Sequence, residues 1–355
     1  MHKICMLAPA NSVHIFRWIN DLCGNYEIVL ITQHDILYEF PKNVKVYKLE
    51  FNNKLGYFFN SFKVNKILKI EKPDLVHAHY ASGYGTTMSL IGKKYKKFLS
   101  VWGSDVFIFP NQNLINKMIL KWNLENADFL GSTSLTMKKE LEKYTKKYIF
   151  ITPFGIDTMV FKKSNSKLLN KPNLTIGTIK GMKEVYGINY LIESFNLLNN
   201  DNDINKDIKY LIVGGGPKLE EYQDLAKKLK VDIDFTGHVP YEDIPNYLNE
   251  LDIYCAPSNS ESFGVAVLEA SSCELPVIVT DVGGLPEVVI NNETGFIIPK
   301  KDVNQLYLKI KELILDNSLR NSMGKSGRLY VEKNYSNEIC VKIMMQTYNK
   351  ILKRS

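Results

Sequence analysis

Two glutamates stand either side of a helix start in Glu261-Ser262-Phe263-Gly264-Val265-Ala266-Val267-Leu268-Glu269. The stretch follows the apolar run Ile253-Tyr254-Cys255-Ala256 and the turn Pro257-Ser258. The pattern predicts a short strand, a turn, then a loop opening into an apolar helix. Gly264 lets a ligand approach the backbone closely. Unpaired N–H groups at a helix start attract an anion such as a phosphate. Glu269 falls about two turns beyond the first glutamate at about 3.6 residues per turn. Among apolar neighbours it is costly to bury without a partner, and a pair of sugar hydroxyls suits it. On spacing alone, the competing reading is a helix with a chance acidic pair.

The elements that must position these residues are spread over 355 residues, a length that suggests two domains. Hydrophobic content of 45% and charged content of 23% belong to an ordinary globular chain. The apolar run Met1 to Pro9 is too short for a signal peptide or a membrane span and reads as a first buried strand. Cys5, Cys23, Cys255, Cys273 and Cys340 form no C-x-x-C, which fits buried free thiols in a reducing cytoplasm. Residues 1–170 hold 24 Lys and Arg against 13 Asp and Glu, a net of +11, while the remainder is net −4. The asymmetry points the first half at an anionic partner or surface. Nucleic acid is not indicated, since no reader motif is present.

Apolar strand runs alternate with helical patterns throughout, which predicts an α/β fold of two doubly wound, Rossmann-like domains. The first half carries strands at 4–7, 27–32, 44–49, 75–79, 98–101, 129–132 and 148–151. The second carries them at 174–179, 210–213, 233–236, 253–256, 277–280 and 295–298. The polar stretch Lys162 to Asn173 reads as the linker, giving domains 1–165 and 166–335 with a last helical pattern from Ser336. Ligands of such sheets lie beyond the carboxyl ends of the strands.

Several of these βα turns hold candidate site residues. His77 and His79 share a strand face, but no third ligand in metal spacing accompanies them. His77 reads as a core histidine with a hydrogen-bond partner. Asp201-Asn202-Asp203 and Asp232-Ile233-Asp234 read as solvated rather than as a metal motif. Ser12 is placed either to cap the first helix or to serve a site.

The Pro-Ser turn, the paired glutamates around Ser-Phe-Gly, Pro276-Val277-Ile278 and Val282-Gly283-Gly284-Leu285-Pro286-Glu287 together resemble glycosyltransferase family 4. The resemblance is strong over residues 170–300 and continuous before them. It implies the GT-B fold, with the two domains facing across a cleft and the last helix, 336–355, packed back on the first. It also implies a retaining, metal-independent glycosyltransferase with no cofactor, using a nucleoside diphosphate sugar as co-substrate.

By the resemblance, Glu269 meets the nucleotide ribose, Glu261 lies beside the donor sugar, and Ser262, Phe263 and Gly264 meet the diphosphate. Lys180 and Lys183 supply the positive charge, since Thr178 stands where the family commonly has Arg. Lys180 is preferred. Gly215 belongs to a loop bordering the donor, and Thr236 and His238 lie near the base. On the acceptor side stand Ser12, His79 and Trp102, the last replacing a family His beside the reaction centre. Asp105 keeps the Gly-x-Asp pattern after it and is carried over as catalytic. The acceptor expected is a saccharide or lipid-linked saccharide in cell-surface polysaccharide synthesis. Aromatic and lysine residues at 55–69 and 93–98 suggest a cytoplasmic enzyme that docks on the inner face of an anionic membrane. The alternatives are a catalytically inactive nucleotide-sugar-binding protein and a nucleotide-sugar epimerase.

Overall fold

The computed structural model describes residues 1–164, 173–204 and 207–353. Among the described residues, thirteen strands form two separate sheets. The first contains β1 (Lys3–Leu7), β2 (Glu27–Thr32), β3 (Lys45–Lys48), β4 (Leu75–His79), β5 (Lys97–Val101), β6 (Phe129–Ser132) and β7 (Ile149–Ile151). Their spatial order is β3-β2-β1-β4-β5-β6-β7, every pair parallel. The second contains β8 (Leu174–Ile179), β9 (Ile208–Val213), β10 (Asp234–Gly237), β11 (Ile253–Ala256), β12 (Val277–Thr280) and β13 (Gly295–Ile298). Their order is β10-β9-β8-β11-β12-β13, again all parallel. Central strands such as β4, β5, β11 and β12 are buried along their whole length; β11 (IYCA) is an unbroken apolar run for that reason, whereas β4 and β5 bury His77, His79, Lys97 and Ser100 as well.

In each sheet the winding reverses beside the first strand. The switch lies between β1 and β4 in one and between β8 and β11 in the other. The loops leaving these strands are therefore the places where a ligand meets backbone and side chains from two directions.

The chain divides into one unit of Met1–Phe154 with Glu338–Ser355 and another of Gly155–Asn337. The dividing point lies earlier than residue 165 because the segment after Phe154 is bound into the second unit. Ile156 donates to the Tyr335 carbonyl at 2.8 Å and accepts from the Asn337 amide at 2.9 Å. The Arg328 guanidinium holds the carbonyls of Thr158 and Phe161 at 2.9 and 2.6 Å. Most of the expected linker, 165–172, lies outside the described residues.

The last helix, Asn337–Lys353, is mostly part of the first unit. Its buried Tyr348 hydroxyl lies 2.7 Å from His77 Nδ1, and Ser100 Oγ lies 2.8 Å from His77 Nε2. His77 is thus a satisfied core histidine. Lys96 caps the same helix by donating to the Ile351 and Leu352 carbonyls. Lys97 is buried and donates to the Ile91 carbonyl. Two of the four lysines at 93–97 are therefore structural, not surface charges. All five cysteines are free thiols. No helix among the described residues is long and apolar enough to cross a membrane.

Candidate functional site

At the switch point of the second sheet, the loop after β8 brings Lys180 against the loop after β11. Lys180 Nζ donates to Glu261 Oε2 at 2.6 Å, with only 9% and 14% of the two side chains exposed. Burial pulls the Lys180 ammonium pKa down. The Glu261 carboxylate and the Tyr254 hydroxyl outweigh that, so it stays above the ordinary lysine value. The ammonium also sits 4.9 Å from the centre of the Tyr186 ring. A cation kept charged and fixed at a helix-bearing loop can stabilise negative charge building on a departing group without reorganising.

The loops around this pair are packed too closely for side chains. Gly283 adopts φ 53°, and a Cβ there would overlap the Glu261 carbonyl oxygen. The next residue, Gly284, donates its amide to that same carbonyl at 3.0 Å. Gly215 accepts from the Met182 amide at 2.9 Å, which ties the loop after β9 to the loop carrying Lys180. Gly264, at φ 111°, occupies the N-cap of the helix Val265–Ser272 with no side chain capping it. Buried in that helix is Glu269, and its partner is the Tyr241 hydroxyl, which donates to Oε1.

The other expected donor residues are placed unequally. Ser262 is half-buried, and Phe263 is buried with its ring 5.7 Å from that of Tyr335. Lys183 is exposed, and its amide donates to Gly181 at the start of a 3-10 turn, so the structure brings together Lys180 and Glu261 without it. His238 is exposed, and Thr236 spends its hydroxyl on the Gly237 carbonyl at 3.0 Å.

In the first unit the structure places Asp105, expected as catalytic, and the acceptor-side residues Trp102, His79 and Ser12 in different surroundings. Asp105 is not a presented carboxylate. It is buried and accepts from the backbone amides of Ala81, Trp102 and Gly103 at 2.7, 3.1 and 2.9 Å. Burial raises its pKa, against the pull of those amides. Asp105 therefore clamps the loop after β4 to the loop after β5. Trp102 is buried among the rings of His14, His79, Tyr80 and Phe154, with centroids 4.9 to 5.8 Å away. Trp102, expected on the acceptor side in place of the family's histidine, is thus packed among rings. His79 lies 4.0 Å from His77 ring to ring, with neither of its nitrogens hydrogen-bonded, and burial pulls it down to about 3. Ser12 occupies the N-cap of the first helix without a side-chain cap bond. It lines a cavity of about 780 Å³, as does Tyr80, whereas His79 and Trp102 do not. Tyr80 adopts φ 73°, a strained value for an aromatic residue, directly after β4.

Residues 160–330 match the family model described as glycosyl transferases group 1, and residues 3–134 match glycosyl transferase 4-like. The chain belongs to the glycosyl transferases group 1. It is 27% identical over 318 residues to an uncharacterised glycosyltransferase of Methanocaldococcus jannaschii, covering 87% of this chain and 86% of that one. It is 32% identical over 207 residues to the capsular polysaccharide biosynthesis glycosyltransferase CapM of Staphylococcus aureus, covering 57% and 52%. The crystal structure of HepE from Anabaena in complex with UDP shares the fold with a TM-score of 0.80 at 16% identity, covering 99% of this chain and 100% of that one. The chain is thus a glycosyltransferase with two Rossmann-like parallel-sheet domains.

Three features of this glycosyltransferase had no counterpart in the sequence reading. Tyr241 lies 28 positions from the carboxylate it binds, in a stretch with no motif. Tyr186, later in the same segment, and Tyr254, on the neighbouring strand β11, flank Lys180. Asp201 is not solvated: it pairs with Lys311 at 2.7 Å and takes the Tyr307 hydroxyl, tying a loop to the helix Val303–Leu315. Asp232 and Asp234 are exposed as read.

Proposed function

We propose that this glycosyltransferase moves a sugar from a nucleoside diphosphate sugar to a hydroxyl of a saccharide acceptor, retaining the anomeric configuration and needing no metal. The Lys180–Glu261 pair carries the reading. It sets a fixed cation at the sheet's switch point, beside the start of the helix that holds Glu269. In this scheme the bond from the anomeric carbon to the diphosphate oxygen breaks while Lys180 and the helix start hold the developing charge. The acceptor oxygen bonds that carbon from the same face, and its proton passes to the departing phosphate. Glu269 holds the ribose and Glu261 borders the donor sugar.

The acceptor is bound by the first unit and is lipid-linked, in cell-surface polysaccharide synthesis, a reading in keeping with the likeness to CapM. The surface of the first unit supports docking on an anionic membrane. Phe59 and Phe62 are exposed beside exposed Lys66 and Lys69. The helix Leu114–Asn126 adds exposed Leu114, Ile115 and Met118 together with exposed Lys117 and Lys121. Each basic residue near such a surface contributes about 1 kcal/mol.

The deciding experiment incubates the protein with a panel of nucleoside diphosphate sugars and saccharide acceptors in excess EDTA. The expected result is acceptor-dependent release of the nucleoside diphosphate and a product with the donor's anomeric configuration by NMR. An inverted product, or activity lost in EDTA and restored by manganese, refutes the scheme. Co-sedimentation with anionic and neutral vesicles tests the membrane part, and equal partition at low and high salt refutes it.

A further inference from the structure

The cavity of about 780 Å³ in the first unit opens beyond the ends of β1, β2 and β4. Its hydrogen-bonding character follows from counting protons on one chain of contacts behind it. Thr32 Oγ1 accepts from the amides of Ala10 and His34, each at 3.1 Å. A hydroxyl has two lone pairs and one proton. With both pairs used, the Thr32 proton goes to the Tyr84 hydroxyl, 3.1 Å away. Tyr84 Oη also accepts from the Gln33 amide at 3.0 Å. Its own proton then goes to His34 Nδ1 at 2.7 Å. His34 therefore accepts at Nδ1 and, when neutral, carries its proton on Nε2. Burial and the nearby Lys48 hold the ring's pKa below the ordinary histidine value, which favours that neutral form.

His34 lines the cavity, and its Nε2 has no hydrogen-bond partner among the described residues. Lys54 lines it as well and has no acidic partner among the described residues. No aspartate or glutamate lines the cavity. The adjacent candidates are both engaged: Asp35 pairs with Lys48 at 2.8 Å, and Asp105 is held by three amides. The wall thus offers a cation and a fixed N–H donor with no matching anion of its own. Beside them the rings of Tyr57, Tyr80 and Phe109 present flat apolar surface of the kind that packs against a sugar ring.

We propose that this cavity takes an acceptor saccharide bearing an anionic group, whose oxygens are bound by the Lys54 ammonium and the His34 Nε2–H. The proposal rests on the reading that the first unit binds the acceptor, and it names the acceptor's chemical class. The anion is either a carboxylate on the sugar, as in a uronic acid, or a phosphate on its anomeric oxygen, as in a saccharide linked through phosphate. Charge-assisted hydrogen bonds of this type are about twice as strong as neutral ones.

The test uses the full chain labelled with 15N-histidine. The His34 resonances, assigned by loss in His34→Gln, are expected to report the Nε2–H tautomer, and Tyr84→Phe is expected to abolish that preference. Glucose, glucuronic acid and glucose 1-phosphate are then titrated. Glucuronic acid or glucose 1-phosphate is expected to shift His34 and to bind at least about tenfold more tightly than glucose, a difference of about 1.4 kcal/mol. The tighter of the two identifies the source of the anion, and Lys54→Met is expected to bring both down to the affinity of glucose. Glucose binding as tightly as either anion overturns the proposal while leaving acceptor binding in this unit intact. Failure of all three sugars to move His34 overturns the proposal and, with it, the assignment of the acceptor to the first unit.

Discussion

The two switch points of this molecule are built in opposite ways. In the second unit a buried ion pair, Lys180 with Glu261, sits among loops that touch backbone to backbone through Gly283 and Gly215. In the first, no such pair borders the cavity. Neutral hydroxyls, amides and a histidine form a hydrogen-bonded wall, and a buried carboxylate is spent on holding two loops together. A fixed cation suits a ligand part that recurs in every turnover, such as a diphosphate. A wall of directional donors suits recognition of one particular partner. The loops around the ion pair leave no room for a side chain at Gly283, whereas the wall of the cavity is made of side chains.

The sharpest way to break this contrast is Lys180→Met. Turnover is expected to fall about 100-fold or more, the scale of removing one fixed charge-stabilising group. Sugar binding at His34 by NMR is expected to stay unchanged; a fall in both would mean that the two sites are not independent. Next in size, Gly283→Ala forces a side chain into the Glu261 carbonyl at positive φ. We expect a loss of about 3 kcal/mol in urea unfolding.

Asp105→Asn keeps the shape but weakens three charge-assisted bonds. A destabilisation of about 2 kcal/mol is expected, with loosening of the loops after β4 and β5 seen as faster amide exchange at Ala81 and Gly103. Donor affinity should be unaffected, and a weakened donor constant would return Asp105 to the catalytic group. Tyr241→Phe removes the hydroxyl that orients Glu269. Nucleoside diphosphate affinity by calorimetry is expected to drop about tenfold, the worth of one hydrogen bond to a charged group. Affinity equal to that of the unaltered protein would mean that Glu269 is held in place without that hydroxyl.

The smallest effect concerns acid. Burial pushes the Glu71 carboxyl pKa up, but bonds from Tyr47, Lys3 and Lys45 outweigh it and hold the group at about 2, below its ordinary 4.5. A depressed carboxyl stabilises the fold above its unfolded value, and the contribution is lost as pH falls from about 4.5 towards 2. Glu71→Gln should flatten the acid limb of the stability profile in that window. An unchanged slope would show that other carboxyls govern acid unfolding.

The sequence made the sheets visible because parallel strands buried on both faces must be continuously apolar. Ile253–Ala256 shows this, while Leu75–His79 keeps the burial but carries two histidines. Edge strands were read less sharply: β3 and β10 are only partly buried, and their limits shift by a residue. The second unit's site was legible because its charges and glycines are local to strand ends. Glu261, Lys180 and Gly283 each sit within a loop directly after a strand. What escaped notice was made by side chains meeting across the fold. Tyr241 reaches Glu269, and Thr32, Tyr84 and His34 form one chain of contacts from two stretches of sequence. Asp105 belongs with these, since a carboxylate after a strand looks alike in sequence whether it faces a ligand or three amides.

The closing helix carries a consequence for biosynthesis. The His77 to Tyr348 contact spans 271 residues, and Tyr348 also supports Phe98 and Tyr26. A ribosome that has delivered the whole first sheet has not yet delivered the residues that seal one of its faces. The second unit, contiguous in the chain from Gly155 to Asn337, is free to fold first. During that interval the apolar rings of Phe98 and Tyr26 lack their cover. The nascent chain is then open to chaperones and to aggregation until its last helix emerges.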